Sequence, residues 1–192
     1  MVNFTRQRTS SSPDEFWFCQ HPPVFTVGAA VKNHPESIAN IPCIQSDRGG
    51  KITYHGPGQL VCYPLVDLRR KSIYPKEFLV QLEKVVIATL KNYDVLATTV
   101  EKAPGIYVQK AGGIPPFENL AKICSIGLKI SNHCTYHGLS LNISMDLQPF
   151  NLIDPCGYHG LRTVNLSDFV PNIDIAEVSS TLEKTIKEYF CD

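Results

Sequence analysis

From residue 14 onward the chain breaks into short apolar runs separated by turn-forming residues. Glu15 to Cys19 (EFWFC) and Pro23 to Val27 (PVFTV) are aromatic and β-branched, so they read as strands joined by the QHPP turn. Ile41 to Gln45 is a further short run, and Lys51 to His55 alternates as a strand does. HGPGQ interrupts that strand before Leu60 to Leu68 resumes it. The period then changes. Phe78, Leu79, Leu82, Val85, Val86 and Leu90 follow helical spacing and predict a helix over Tyr74 to Tyr93, with Pro75 suited to its first turn and Glu77 to its positive end. Val95 to Val100, Gly105 to Val108, Ile123 to Ile130 and Thr135 to Ile143 return to strand patterning. Ala176, Val178, Leu182, Ile186 and Phe190 share one face of a terminal helix over Ile175 to Phe190. Residues 1–13 read as a polar, poorly ordered start, residues 109–121 as a Gly/Pro-rich loop, and residues 144–160 as mostly loop with a helical turn. Many short strands with two long helices predict an α+β fold with a largely antiparallel or mixed sheet. The length predicts one domain over 1–192.

Composition narrows the function. Apolar residues make up 43% of the chain and charged residues 19%, as in a packed globule. Lys plus Arg and Asp plus Glu number 18 each, so no global field gathers nucleic acid or anionic lipid. No apolar run approaches the ~20 residues of a membrane span, and the first residues lack a secretory apolar core. Arg6, Arg8 and Ser10 to Ser12 make only a weak mitochondrial address. The seven cysteines are odd in number and form no CxxC, as expected of thiols kept reduced in a cytoplasm.

Four segments carry chemistry. RGGKITYHGPGQ (Arg48 to Gln59) packs four glycines, two cations, a histidine and a tyrosine into twelve residues. It reads as a loop whose backbone approaches a ligand; the plain reading is a tight hairpin. It matches neither phosphate-binding glycine template. DPCGY places Cys156 in a stiff, small-residue turn that exposes sulfur, whereas Cys19, Cys43 and Cys62 sit in apolar strands as small hydrophobes do. In AKICSIGLKI, Lys122 precedes an apolar run, so it is expected to be partly buried beside a site; most lysines simply face solvent. In HGLSLN, His137 joins His55 as a donor on a polar wall. His133 and His137 are four apart, but on a turn and strand they do not face one metal, and no metal site is expected.

Taken together, RGGKITYHGPGQ, APGIYV, KICSIGLKI, HGLSLNISMDL and DPCGY resemble, in that order, the lipoyl(octanoyl) transferases, over roughly residues 14 to 161. The resemblance implies a biotin/lipoate protein ligase-like domain with a central mixed sheet flanked by helices. It implies Cys156 as nucleophile and Lys122 as general acid/base. It implies an acyl pocket of Arg48, Gly49, Gly50, Lys51, Ile52, Thr53, Tyr54, His55, Ser125, Ile126, Gly127, Gly138, Leu139 and Ser140. The implied reaction moves an octanoyl group from octanoyl-acyl carrier protein to a lysine of lipoyl domains, those of 2-oxoacid dehydrogenase E2 subunits and the glycine cleavage H protein. No cofactor is implied beyond the phosphopantetheine that the carrier brings. The alternatives are an ATP-dependent lipoate or biotin-type ligase, and an inactive acyl-binding homologue. Two departures stand out. Only about a dozen residues precede PDEFWFCQHPPVFT, so a strand is expected to be missing from the sheet edge or another chain to cover it. AGGIPPFEN also lengthens the connection before Lys122, as a cover for the site or a partner contact.

Overall fold

The computed structural model describes residues 1–190. Ten strands form two sheets. The larger has the order β1 (Glu15–Cys19), β6 (Gln59–Leu65), β10 (Cys134–Asn142), β9 (Leu120–Ser131), β8 (Ala103–Gln109), β7 (Ala97–Val100). Every pairing in it is antiparallel. The smaller runs β3 (Ser37–Ile38), β4 (Ile41–Gln45), β2 (Val24–Val27), β5 (Ile52–His55), and its β2–β4 pair is parallel. The mixed character expected of the central sheet therefore lies in the small one.

Helix α2 (Pro75–Lys91) starts where the sequence places it: Pro75 occupies the first turn, and the Glu77 carboxylate accepts from Tyr74 N at 2.9 Å. Its buried stripe, Phe78, Leu82, Val85, Val86 and Leu90, meets that of α3 (Ile175–Phe190), formed by Val178, Leu182, Ile186 and Phe190. Together they cover sheet residues such as Leu60, Ile106, Ile123, Leu139 and Leu141 in the main core. A second core, Phe25, Val27, Cys43, Tyr54, Met145 and Phe150, lies beneath the small sheet.

Two regions depart from expectation. Residues 1–13 are not a loose start: Val2–Gln7 form a short helix, α1. It is tied down because Arg8 donates to Leu65 O and pairs with Asp14 at 2.7 Å, and Phe4 packs on Trp17 of the edge strand β1 at 5.4 Å between centroids. The loop expected over 109–121 is shorter, since β8 runs to Gln109 and β9 begins at Leu120. It is also anchored. Phe117 is fully buried, stacked on Tyr107 at 5.2 Å and edge-on to Tyr158 at 4.9 Å. These rings, with Ala103 and Leu161, make a third core directly behind the turn that carries Cys156.

Removing a fully buried phenylalanine costs about 3–5 kcal/mol. Phe117→Ala is expected to lose stability on that order in urea unfolding and to open residues 110–119 to proteolysis. A loss below about 1 kcal/mol, with the loop still resistant, would show that the ring does not anchor it.

Candidate active site

The reacting candidates come from two elements far apart in sequence. Lys122 is the third residue of β9 and is 2% exposed. The segment 162–164 runs beside it: Lys122 N donates to Arg162 O at 2.8 Å, and Val164 N donates to Lys122 O at 3.0 Å. Cys156 is the centre of a 3₁₀ turn, Pro155–Gly157, and adopts φ 56°, the left-handed region that non-glycine residues rarely enter. Lys122 Nζ donates to Cys156 Sγ at 2.7 Å across 34 residues, and to Pro104 O at 2.8 Å. Burying an amine is costly without partners; here they are a carbonyl, a sulfur, and the face of Tyr107 at 5.4 Å. The Cys156 thiol also reaches Pro104 O, at 3.8 Å. Both atoms thus share one acceptor, an arrangement in which a proton passes between N and S with little motion.

Two glycines make the room. Gly105, at φ +133°, lies against Lys122: a Cβ there would stand 2.6 Å from Lys122 Cε and 2.5 Å from Cys124 O. Gly157, at φ +80°, lies under Lys51, whose Nζ would meet a Cβ at 2.0 Å. A second cation therefore packs on the residue next to the sulfur.

From Cys156 and Lys122 a cavity of about 850 Å³ extends along β9 and β10 and between the two sheets. Its walls include Arg48, Gly49, Gly50, Lys51, Ile52, Thr53 and His55 on one side and Ser125, Ile126, Gly127, Gly138, Leu139 and Ser140 on the other. The glycine loop is held open against residues 28–30: Gly28 N donates to Lys51 O at 3.1 Å and Ala29 N to Arg48 O at 2.9 Å. Gly49 N reaches Leu128 O at 2.9 Å and joins it to β9. One expected residue is not brought in. Tyr54 faces the second core, packed between Phe25 and Phe150, because successive side chains of β5 point to opposite faces. Its neighbours Thr53 and His55 take the cavity side, and Thr53 Oγ1 is buried there without a protein partner.

The electrostatics follow from burial. Arg48 has no carboxylate partner among the described residues; it donates to Thr26 O, Thr26 Oγ1 and Gly49 O. Desolvation brings its pKa down to about 10, partly countered by Cys156, and it remains a cation at neutral pH. Burial likewise brings His55 down to about 4, against the pull of its Gln59 hydrogen bond, and His21 is lowered by the same cause. At the cavity end lined by Met1, Val2 and Arg6, His137 Nε2 lies 2.7 Å from Asp47 Oδ1 and Tyr136 donates to Asp47 Oδ2. Burial outweighs Asp47 and lowers His137, so at neutral pH the contact is a hydrogen bond of neutral imidazole rather than an ion pair. Burial raises the Asp47 carboxyl, but the hydrogen bonds from Tyr136 and His137 outweigh it and hold it low.

Sequence reasoning missed Thr26, His21, Tyr63, Asp47 and the α1 residues of this wall. Asp47 directly precedes RGG and had a local signal; Thr26 and Tyr63 enter through strand pairing, His21 through its contact with Tyr63, and α1 by packing on the large sheet.

Comparison with known proteins gives the family of the chain. Residues 2–187 match the Lipoyl protein ligase A/B catalytic domain, and the chain belongs to that family. It is 46% identical to the octanoyltransferase of Methylibium petroleiphilum over 98% of this chain and 90% of that one. It is 48% identical to the octanoyltransferase of Photorhabdus laumondii over 98% and 82%. Among solved structures it is similar in fold to lipoate-protein ligase A bound with ATP, at TM-score 0.71 and 17% identity over 98% of this chain and 77% of that one. It is also similar to the biotin protein ligase of Aquifex aeolicus, at TM-score 0.52 and 16% identity over 69% and 52%. Among the described residues no helix is long and apolar enough to cross a membrane.

The histidine burial has a measurable consequence. Below pH ~6.5 the unfolded chain takes up protons that His55 in the fold refuses until about 4. Stability is therefore expected to fall across that window, by roughly 3 kcal/mol for this residue. Urea unfolding at stepped pH is expected to show the fall, and His55→Gln to flatten it. An unchanged slope in the variant would mean that His55 is not held neutral.

Proposed function

We propose that the chain transfers an octanoyl group from octanoyl-acyl carrier protein, through a thioester on Cys156, to a lysine of a lipoyl domain, as the first step of protein lipoylation. The observation that carries this reading is the 2.7 Å contact between Lys122 Nζ and Cys156 Sγ at the edge of the long cavity. The names of the relatives at 46% and 48% identity agree with the acyl group and reaction class.

In the first half-reaction Lys122 takes the Cys156 proton and the sulfur attacks the thioester carbonyl. The carbonyl–sulfur bond to the phosphopantetheine arm breaks, and its thiol leaves with the proton held by Lys122. One thioester replaces another, so neither ATP nor a bound cofactor is required. In the second half-reaction the acceptor amine attacks the acyl-enzyme, the bond to Cys156 breaks, and Lys122 passes the amine's surplus proton to the departing sulfur. Amide formation from a thioester is downhill and drives the sequence. The cavity between the Arg48–His55 loop and the Ser125–Gly127 strand segment takes the hydrocarbon. Each buried methylene contributes up to ~0.8 kcal/mol. The acceptors under this reading are lipoyl domains of 2-oxoacid dehydrogenase E2 subunits and the glycine cleavage H protein, met in the cytoplasm.

Incubation with octanoyl-acyl carrier protein is expected to add one octanoyl mass to the Cys156 peptide, and Cys156→Ala to abolish it. Lys122→Ala is expected to slow both half-reactions by 10²-fold or more, with little change in donor affinity. An adduct at wild-type yield in Cys156→Ala would overturn the nucleophile, and a pure affinity change in Lys122→Ala the proton carrier. Turnover of free octanoate that depends on ATP would favour a ligase instead.

A further inference from the structure

The cavity wall contains a polar chain that the two half-reactions do not use. Arg48 Nε and Nη2 donate to Thr26 Oγ1 at 3.1 and 2.9 Å, and Thr26 Oγ1 meets His55 Nε2 at 3.0 Å. His55 Nδ1 meets Gln59 Oε1 at 2.7 Å, and Gln59 Nε2 donates to Asn142 Oδ1 at 2.9 Å. Asn142 Nδ2 donates to Val164 O at 3.2 Å, and Val164 N donates to Lys122 O. The chain begins at the glycine loop, crosses from β2 and β5 of the small sheet to β6 and β10 of the large one, and ends on the backbone beside Lys122. Gln59 and Asn142, its middle members, are 1% and 4% exposed.

Its two ends fix every donor between them. A carbonyl only accepts, so Asn142 turns its amide nitrogen to Val164 and its oxygen to Gln59. That oxygen only accepts, so Gln59 gives it Nε2, whose other hydrogen goes to Tyr54 O at 3.3 Å. Gln59 Oε1 then faces His55, which must donate from Nδ1. Nε2 is left bare and accepts from the Thr26 hydroxyl. The lone pairs of that hydroxyl take the guanidinium, which only donates. Reversing any one member would set two donors or two acceptors against each other inside the protein, at the cost of a buried unpaired group.

We propose that Gln59 and Asn142 are positioning residues: they select the Nδ1–H tautomer of the buried His55 ring and, by joining the two sheets, set the placement of the Arg48 loop against Lys122. The proposal rests on reading Lys122 and Cys156 as the reacting pair. The neutral ring matters because the Arg48 guanidinium lies just beyond Thr26, and its charge disfavours a second cation on His55. A protonated His55 would also turn a donor toward Thr26 and break the chain at Arg48. The wall that receives hydrocarbon would then hold two adjacent buried cations.

Long-range ¹H–¹⁵N spectra of the wild-type protein test the tautomer without any activity measurement. His55 is expected to show protonated Nδ1 and bare Nε2, unchanged between pH 8 and 5.5; an Nε2–H ring, or titration near pH 6.5, overturns the proposal. Gln59→Glu puts a carboxylate on Nδ1, so His55 should take its second proton closer to neutrality. The octanoyl transfer rate of that variant should fall more steeply than the wild type's as pH drops below neutrality, by the added protonation of His55. Asn142→Leu cuts the chain between the sheets and should lower kcat on the order of 10- to 100-fold with a smaller change in donor KM. A Gln59→Glu profile parallel to wild type, or an Asn142→Leu effect confined to stability, would reduce both residues to scaffolding. Absence of any transfer by the wild-type protein would instead count against the functional reading, leaving the spectra to decide the tautomer.

Discussion

The site depends on the placement of one amine. A lysine two per cent exposed, with no carboxylate beside it among the described residues, is a costly object in a protein core. Around Lys122 the fold supplies what such a group needs: the Pro104 carbonyl, the Cys156 sulfur, and space created by a glycine on the neighbouring strand. The strained backbone at Cys156 belongs to the same arrangement. A residue at φ 56° persists where its surroundings enforce it. Here the rings of Tyr107, Phe117 and Tyr158 are packed behind the turn.

The remainder of the molecule holds this contact at one end of a long cavity. The main core fixes the large sheet against α2 and α3, which leaves the other face of β9 and β10 for substrate. The small sheet closes over that face and carries the glycine loop. The region between the sheets is not simply greasy. It contains a cationic Arg48, a neutral His55 and the Asp47 hydrogen-bond cluster, each satisfied by short-range partners. Buried polar groups arranged in this way rigidify a wall, because moving any one of them leaves another unpaired.

Much of this was legible in the sequence where the signal is local. The apolar period in residues 175–190 marks α3 to the residue, and Pro75 with Glu77 marks the start of α2. The PCG turn and the buried lysine of KIC were readable because proline, glycine and an apolar run each restrict what one residue does. What was not legible depends on partners distant in the chain. Helix α1 forms because Arg8 and Phe4 find Asp14, Leu65 and Trp17. Tyr54 was assigned to the cavity by its place in a motif, yet the alternation of β5 sends it to the opposite face. Gln59 and Asn142 meet across 83 residues, which no spacing rule reveals. The loop before Lys122 read as a cover or partner contact, and burial of Phe117 makes it part of the structure behind the turn.

The most direct test is a crystal structure of the protein after reaction with an octanoyl thioester in the absence of acceptor. The account requires continuous density from Cys156 Sγ into the space between Gly49–Gly50 and Gly127, with Lys122 Nζ within hydrogen-bonding distance of the thioester. Density on another side chain, or an acyl chain on the far side of β5 beside Tyr54, would contradict it.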